Sequence, residues 1–467
     1  MQHKSTLLST IAILKSLLPS IQAFAIVFKP SFLHSVQLKK FTTTTIAMHV
    51  KSNVENDLNS TVTGSRSQQQ LSSTATVDGE IFCEIVDEFG CQALESHCRI
   101  ATTTSITDDD DDKHVFMDRW VRLQATPDIA SMTRSEILQR IDQVQQQQET
   151  YGRADLHPRE WIPTKLPNDV LDNDQNRSFS VLQFNILAQG LSFGPNTQSP
   201  FEPAQKLQEY KAKNSYGGFT SVAHPDVCLD FDLRQWRLLQ AILDADCDIV
   251  ALEEMDRFYG FFLPMLQQFG YEGYFVPKVH SPGVKLGWYS DGCAIFYRTS
   301  VFTLNCVDRY SYNVGNQVCL VTRLCHQRTG KMMQIAATHL KAQQKEECEK
   351  MRTQQVDQLL SIVSQSSDPT IVAGDFNTNP SSESVKKVQR TLASAYDLTD
   401  PTLVTTWKTR GGETSKRVID YIFYSSSTLQ CSALWSIPHQ DMENLKLPSL
   451  RYPSDHILIA AKFQFSP

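Results

Sequence analysis

From about Arg177 onward the sequence predicts an α/β domain. Short apolar runs of strand length alternate there with stretches whose apolar residues recur at helical spacing. Several of those runs stop at an acid, an amide or a histidine, as in TIVAGDFNTNP at 370–380. In open α/β folds the carboxyl rim of the strands is where chemistry is usually placed. A length of 467 residues with 41% apolar content supplies material for a large core.

The segments before this domain read differently. Residues 1–54 hold six Lys and no Asp or Glu, with an apolar stretch from Leu7 to Leu18 and then Ala23-Phe24-Ala25. That composition predicts a targeting segment addressed to an organelle, a mitochondrion or a plastid, with cytoplasmic residence after processing as the other outcome. Residues 55–177 form a low-complexity region with short helical pieces. Within it, Asn56 to Val77 is Ser/Thr/Gln-rich and predicts disorder, because too little apolar surface is present to offset the entropy of ordering. Ile81 to Ile100 reads as a small ordered piece, and Asp108 to Lys113 as a solvated charge run. Thr133-x-x-Glu136 is a capping box that opens a helix with Ile137, Ile141 and Val144 on one face.

Composition excludes several classes. A net charge of -7 argues against a general nucleic-acid coat protein, although a local basic cleft is compatible with it. Eleven cysteines without a C-x-x-C pair predict neither a disulfide scaffold nor a tetrahedral zinc site, and the grouping of Cys83, Cys91, His97 and Cys98 is not expected to bind a metal. No apolar run of spanning length follows the first 30 residues, so no integral membrane span is expected in the body. The absence of an L-x-x-L-x-L period predicts no leucine-rich-repeat docking arm.

Within 178–467 the elements follow in order. Ser180–Phe184 alternates as a strand ending at Asn185, and a polar excursion runs to Asp230. Asp232 and Gln235 are expected to cap a helix carrying Trp236, Leu239, Ile242 and Leu243. The buried strand Ile249–Leu252 ends in Glu253-Glu254, and further strands are expected at Gly292–Tyr297 and at Met333–Ala337, the latter running into Thr338-His339. A helix from about Lys345 places Met351, Gln355, Leu359 and Val363 four apart. After the 370–380 stretch come a helix opened by Pro380, the strand Val418–Tyr424, and Tyr452-Pro453-Ser454-Asp455-His456 before the strand Ile457–Phe465.

Five strand ends thus present Asn185, Glu254, His339, Asp375 with Asn377, and Asp455 with His456, while Asp420 lies inside a sixth strand. The set answers one chemical problem, the cleavage of a phosphate ester. Glu254 and Asn185 offer the hard oxygens that suit Mg²⁺, with Mn²⁺ as the alternative ion. Asp375, held by Asn377, is the candidate base or water-orienter. His456, set by Asp455, and His339 supply donors where the phosphoryl oxygens gain charge.

The strings FNILAQ, ALEEMD, SDGCAIFY, ATHLKA, VAGDFN, TTWK, IDYIFY and YPSDH occur in this order. Together they resemble the endonuclease/exonuclease/phosphatase superfamily, in its nocturnin and deadenylase branch. That resemblance implies a four-layer α/β sandwich, two packed mixed β-sheets flanked by helices, over about 178–467. It implies site roles for Asn185, Glu254, His339, Asp375, Asn377, Asp420, Asp455 and His456. It also implies an adenosine-containing substrate, either NADP(H), losing its 2′-phosphate, or an RNA 3′ end removed by a 3′–5′ exoribonuclease. A catalytically silent binding module is the reading outside enzymology, and the complete acid and histidine set argues against it.

Two positions depart from the pattern. Glu253 stands where relatives commonly have Gln, and Gln343 stands where the branch carries an Arg two residues after the Lys matched by Lys341. Lys278 in FVPK and Lys341 match substrate-binding lysines, and Lys416 and Arg417 are the candidates to replace the missing charge.

Overall fold

The computed structural model describes residues 36–40, 45–50, 81–85, 125–164, 177–192, 218–219, 221–278, 280–285, 288–410, 412–438 and 447–466. The stretch from Asn56 to Val77, the charge run at 108–113, Cys91, His97, Cys98 and most of residues 1–54 lie outside these residues. The chain divides into two units, 1–92 and 93–467. In the first, β1 (Val36–Lys40), β2 (Thr45–Val50) and β3 (Ile81–Ile85) form an antiparallel sheet in that order.

The second unit is built on two mixed sheets. One contains β4 (Trp161–Pro163), β5 (Ser178–Asn185), β6 (Ile249–Met255), β7 (Tyr271–Pro277), β8 (Gly292–Arg298), β17 (Leu429–Trp435) and β18 (Ile459–Phe465), in the order β4-β17-β18-β5-β6-β8-β7. The other contains β9 (Phe302–Ser311), β10 (Val318–His326), β11 (Met332–His339), β12 (Thr370–Asp375), β13 (Ala393–Ser394) and β16 (Asp420–Tyr424), in the order β13-β16-β12-β11-β10-β9. A separate hairpin pairs β14 (Thr406–Arg410) with β15 (Glu413–Arg417). Each large sheet has one parallel pair, β5 with β6 and β11 with β12.

Strand alternation assigns the layers. On β5, Phe179 and Val181 join Ile249, Ile295, Leu320, Ile335, Ile371, Ile422 and Phe463 in the core between the sheets. Leu182 and Phe184 point the other way, into a second core shared with helices α1 (Arg134–Glu149) and α2 (Phe231–Ala245). The outer face of the other sheet packs Val372, Ala336 and Phe423 against α3 (Glu346–Val363) and α4 (Glu383–Gln389). Helices therefore cover two sheets that cover each other, the four layers expected.

Several local expectations are met and some shift. The capping box at Thr133 and Glu136 forms, and Ile137, Ile141 and Val144 are buried. Those three residues place 125–164, grouped by composition with the low-complexity region, in the same core as β5 and β6. Helix α2 is capped by Asp230, which accepts from the Asp232 amide, so its start moves two residues upstream of the predicted cap. Helix α4 starts after Ser382, whose hydroxyl accepts from the Val385 amide, rather than at Pro380. Gly374 is fixed by packing: a Cβ there would collide with the Thr338 carbonyl of the parallel neighbour β11. No helix among the described residues is long and apolar enough to cross a membrane.

Candidate active site

Both parallel pairs end at one rim. The β5–β6 register sets Asn185 opposite Glu253, the β11–β12 register sets His339 opposite Asp375, and antiparallel β16 brings Asp420 opposite Asp375. Glu254 sits at an irregularity between β6 and β8 and has a φ of 55°. An extra residue there re-aims the side chain, which is what a bulge beside a site does. Asn377 likewise has a φ of 55°, and its amide donates to Asp375 Oδ1 at 2.8 Å. Left-handed non-glycine residues persist where surrounding bonds over-determine them.

The Asn185 amide nitrogen lies 3.2 Å from Glu254 Oε1 and 3.0 Å from Asp375 Oδ2. Two carboxylates from different sheets thus converge on one point. The second Glu254 oxygen accepts from the Ala188 amide at 2.9 Å, and the Leu187 amide donates to Asn185 Oδ1 at 3.0 Å. A cation at the convergence point fits this donor set, which is hard oxygen throughout. For Asn185 to serve as an oxygen ligand its amide must rotate, because its oxygen now faces Leu187. Asp375, Asp420 and His456 form a second convergence, with ligand atoms within 4.8 Å of one another.

Behind that point lies a dyad. His456 Nδ1 is 3.0 Å from both oxygens of Asp420, so the carboxylate that sets His456 is Asp420 rather than its chain neighbour Asp455. Burial alone would lower the imidazole pKa; Asp420, helped by Asp375 and Asp455 against Lys408, raises it to about 9. Burial and Asp420 push Asp375 up to about 6. Asp455 is instead clamped by Lys408 Nζ at 2.7 Å and approached by Arg410 Nη2 at 3.4 Å. Although burial opposes it, the attraction of Lys408, His456 and Arg410 holds Asp455 below the usual carboxylate range.

His339 behaves differently from His456. It lies 2.8 Å from Asn377 Nδ2 through Nε2 and 3.4 Å from Lys278 Nζ through Nδ1. Burial, then the charges of Lys278, His456 and Lys408, hold its pKa well below the ordinary value, so it is neutral where His456 is cationic. Lys278 is buried and paired with Asp291 at 2.6 Å, and Asp291 also accepts from the Ser281 hydroxyl.

The structure brings Asn185, Glu254, Lys278, His339, Asp375, Asn377, Asp420, Asp455 and His456 into this network. Lys341 follows His339 by two residues, and its carbonyl and that of Gln343 accept from Arg352 Nη1, each at 2.7 Å. Lys416 is not brought in: its ammonium lies 3.2 Å from the centroid of the Trp407 ring. Arg417 pairs in register with Thr406, and its Nε donates to Ser415 Oγ at 3.0 Å. Sequence reasoning missed Lys408 and Arg410, which share a face of β14 by alternation. Lys408 is the last residue of the TTWK string and Arg410 lies two residues further on, so the string itself was the available signal. It also missed Gln183, whose Nε2 donates to Glu253 at 2.7 Å and Asp420 at 3.1 Å. Glu253 is fully buried, and burial with Asp420 and Asp375 drives its pKa well above the ordinary value.

The profile of the Endonuclease/Exonuclease/phosphatase family matches residues 214–456, more than half of the chain. Nocturnin of Mus musculus is 32% identical over 366 residues, covering 73% of this chain and 78% of that protein. The CCR4-Not complex 3'-5'-exoribonuclease subunit Ccr4 of Debaryomyces hansenii is 24% identical over 388 residues, covering 66% of this chain and 43% of that protein. Among solved structures, ANGEL2, a 2',3'-cyclic phosphatase in complex with adenosine-2',3'-vanadate, shares the fold at a TM-score of 0.51 and 20% identity, covering 66% of this chain and 99% of that one.

Proposed function

This chain belongs to the endonuclease/exonuclease/phosphatase family, in its nocturnin branch, and is a hydrolase of phosphate esters; from that premise we propose that it removes the 2′-phosphate of NADP(H) with Mg²⁺ as its cation. The observation that carries this reading is the convergence of Glu254 and Asp375 on one point, beside a cationic wall of His456, Lys408 and Arg410.

When bound at that convergence, a divalent cation supplies charge for the phosphoryl oxygens and acidifies a water. The chain's own residues do the rest. Asp375, ionised above about pH 6, accepts a proton from the attacking water. The water oxygen forms a bond to phosphorus as the bond to the ribose 2′-oxygen breaks, and the departing oxygen takes a proton from solvent water while Asp375 keeps the one from the attacking water. Doubly bonded to Asp420, His456 stays cationic at neutral pH and donates toward the phosphoryl group. Neutral His339, held between Asn377 and Lys278, lines the site without adding charge.

Substrate choice follows from charge. A phosphate monoester carries about -1.5 to -2 charges at pH 7, more than the single charge of an RNA linkage. Lys278 and Lys408 are each tied to an acid, and Gln343 removes one cation from the branch pattern. Arg410 supports the monoester reading: it shares Asp455 with Lys408, so two cations face one acid, and its side chain is 35% exposed at the rim and stacked on Phe219. Lys416 lies over the Trp407 ring, and Arg410 joins Lys416 and Arg417 as a candidate for the charge that Gln343 lacks.

Side-by-side assays of the purified protein with NADPH, NADP⁺ and oligoadenylate RNA, with and without Mg²⁺, test this. Phosphate release from the dinucleotides is expected, and Gln343→Arg should lower KM for NADPH about 10- to 150-fold, the range of one charge-assisted contact. Ready cleavage of oligoadenylate with NADPH untouched, even with Arg at 343, would replace this reading with the exoribonuclease one that the name of Ccr4 suggests. The acid-free leader supports delivery to a mitochondrion or plastid. Residues 1–54 on a fluorescent reporter should leave the cytosol, and diffuse fluorescence would refute delivery.

A further inference from the structure

Arg234 lies on α2, outside the set of acids and histidines, and is 1% exposed. Burial lowers its pKa only to about 10, so the guanidinium stays charged. No carboxylate among the described residues lies within ion-pairing distance of it. Its Nη1 donates to the carbonyl of Ile186 at 2.7 Å and of Pro453 at 3.3 Å. Its Nη2 donates to the carbonyl of Leu187 at 2.6 Å and the hydroxyl of Ser192 at 2.9 Å. A buried charge with only neutral acceptors is an expensive way to fill space.

The acceptors explain the arrangement. Ile186 and Leu187 follow Asn185, and Leu187 has a φ of 59°, a left-handed conformation that a leucine adopts only when held there. That conformation goes with the Leu187 amide reaching Asn185 Oδ1 and the Ala188 amide reaching Glu254. Pro453 precedes Ser454, Asp455 and His456. Ser454 closes the same junction from the other side: its hydroxyl donates to the Asn185 carbonyl at 2.7 Å and accepts from the His456 amide at 3.2 Å.

We propose that Arg234 is a positioning residue, a planar clamp that sets the spacing between the Asn185–Glu254 half of the site and the Asp455–His456 half. The proposal rests on these residues forming the hydrolytic site, whichever phosphate ester it takes. Lysine carries the charge but has no fork to bridge three carbonyls. A displacement of about 1 Å at a reacting centre lowers rate by roughly 10²-fold.

The test uses the full chain as Arg234→Lys, Arg234→Ala and Ser454→Ala, assayed on NADPH and on end-labelled oligoadenylate with Mg²⁺. Both Arg234 variants should lose roughly 10²-fold in kcat with KM within about threefold. Millimolar guanidinium should restore Arg234→Ala saturably, whereas ammonium should not. Amide hydrogen exchange supplies a readout that needs no substrate: protection should fall together at 186–189 and 452–456 in Arg234→Lys while β6 keeps it. A folded Arg234→Lys with parental kcat, or with protection lost uniformly, overturns the proposal. If neither Arg234 variant folds, Ser454→Ala decides, a drop in kcat at constant KM upholding the clamp and an unchanged kcat overturning it. Should the parent turn over neither substrate, the substrate assignment fails and the exchange pattern alone judges the clamp.

Discussion

Replacing Lys408 by Met removes the closest partner of a carboxylate that has almost no access to water. Asp455 has a side chain 1% exposed, accepts from Lys408 at 2.7 Å, and keeps only the 3.4 Å approach of Arg410 once that bond is gone. Its other oxygen has no hydrogen-bond partner among the described residues. Breaking a buried pair from one side destabilises by roughly 3–5 kcal/mol, because the remaining charge is left uncompensated. Arg410 persists, so the lower end applies, about 3 kcal/mol or roughly 10²-fold in the unfolding equilibrium. Urea unfolding at pH 7 measures it. The double variant Lys408→Met/Asp455→Asn should recover at least about half of the loss, since the orphaned charge is then absent. The sign with pH is fixed as well. Asp455 has a lowered folded pKa, so the stability it contributes is present above its unfolded value and is lost as pH falls toward the folded one. The gap between parent and Lys408→Met should therefore be full at pH 7 and narrow below about pH 4. A single variant within about 0.5 kcal/mol of the parent, or a double variant no better than the single, would refute the clamp on Asp455.

Other expectations follow from the same geometry. Glu254→Gln should keep the fold and lose activity by orders of magnitude, with Mn²⁺ affinity, read by paramagnetic resonance, falling in parallel; near-parental turnover at limiting Mg²⁺ would remove Glu254 from the metal site. In metal-free protein the His456 imidazole should titrate near pH 9 by nitrogen-resolved NMR, and Asp420→Asn should bring its midpoint down. Because that pKa is raised on folding, its stabilisation is complete below about pH 6.5 and is lost as pH rises through 9. Gly374→Ala should destabilise by at least about 1–3 kcal/mol in thermal unfolding, since the new methyl meets backbone rather than a movable side chain.

The strand-end acids were legible in the sequence because a short buried strand that stops at a polar residue advertises both its length and its rim. What could not be read was partnership. Nothing in Asp455-His456 says that the histidine turns to Asp420, 36 residues away in the chain, while the aspartate turns to Lys408. Arg234 was invisible for a related reason: periodicity assigns the apolar face of α2, and a buried guanidinium on it registers as a polar interruption. The edge strand β9 and the hairpin β14–β15 carry mixed polar sequences, half-solvated on one side, and so gave no clean alternation. Residues 125–164 were hidden by glutamines, since Gln145 to Gln148 dominate the composition while three apolar residues on α1 do the packing.

The position of β18 has a consequence for how the molecule is made. This strand lies between β17 and β5, near the middle of its sheet, and the residues just before it supply Asp455 and His456. All six strands of the other sheet come from the uninterrupted stretch 302–424, which leaves the ribosome earlier. During vectorial synthesis that stretch can pair its own strands, while β5 keeps one edge bare until β18 and the Asp455-His456 pair just before it emerge.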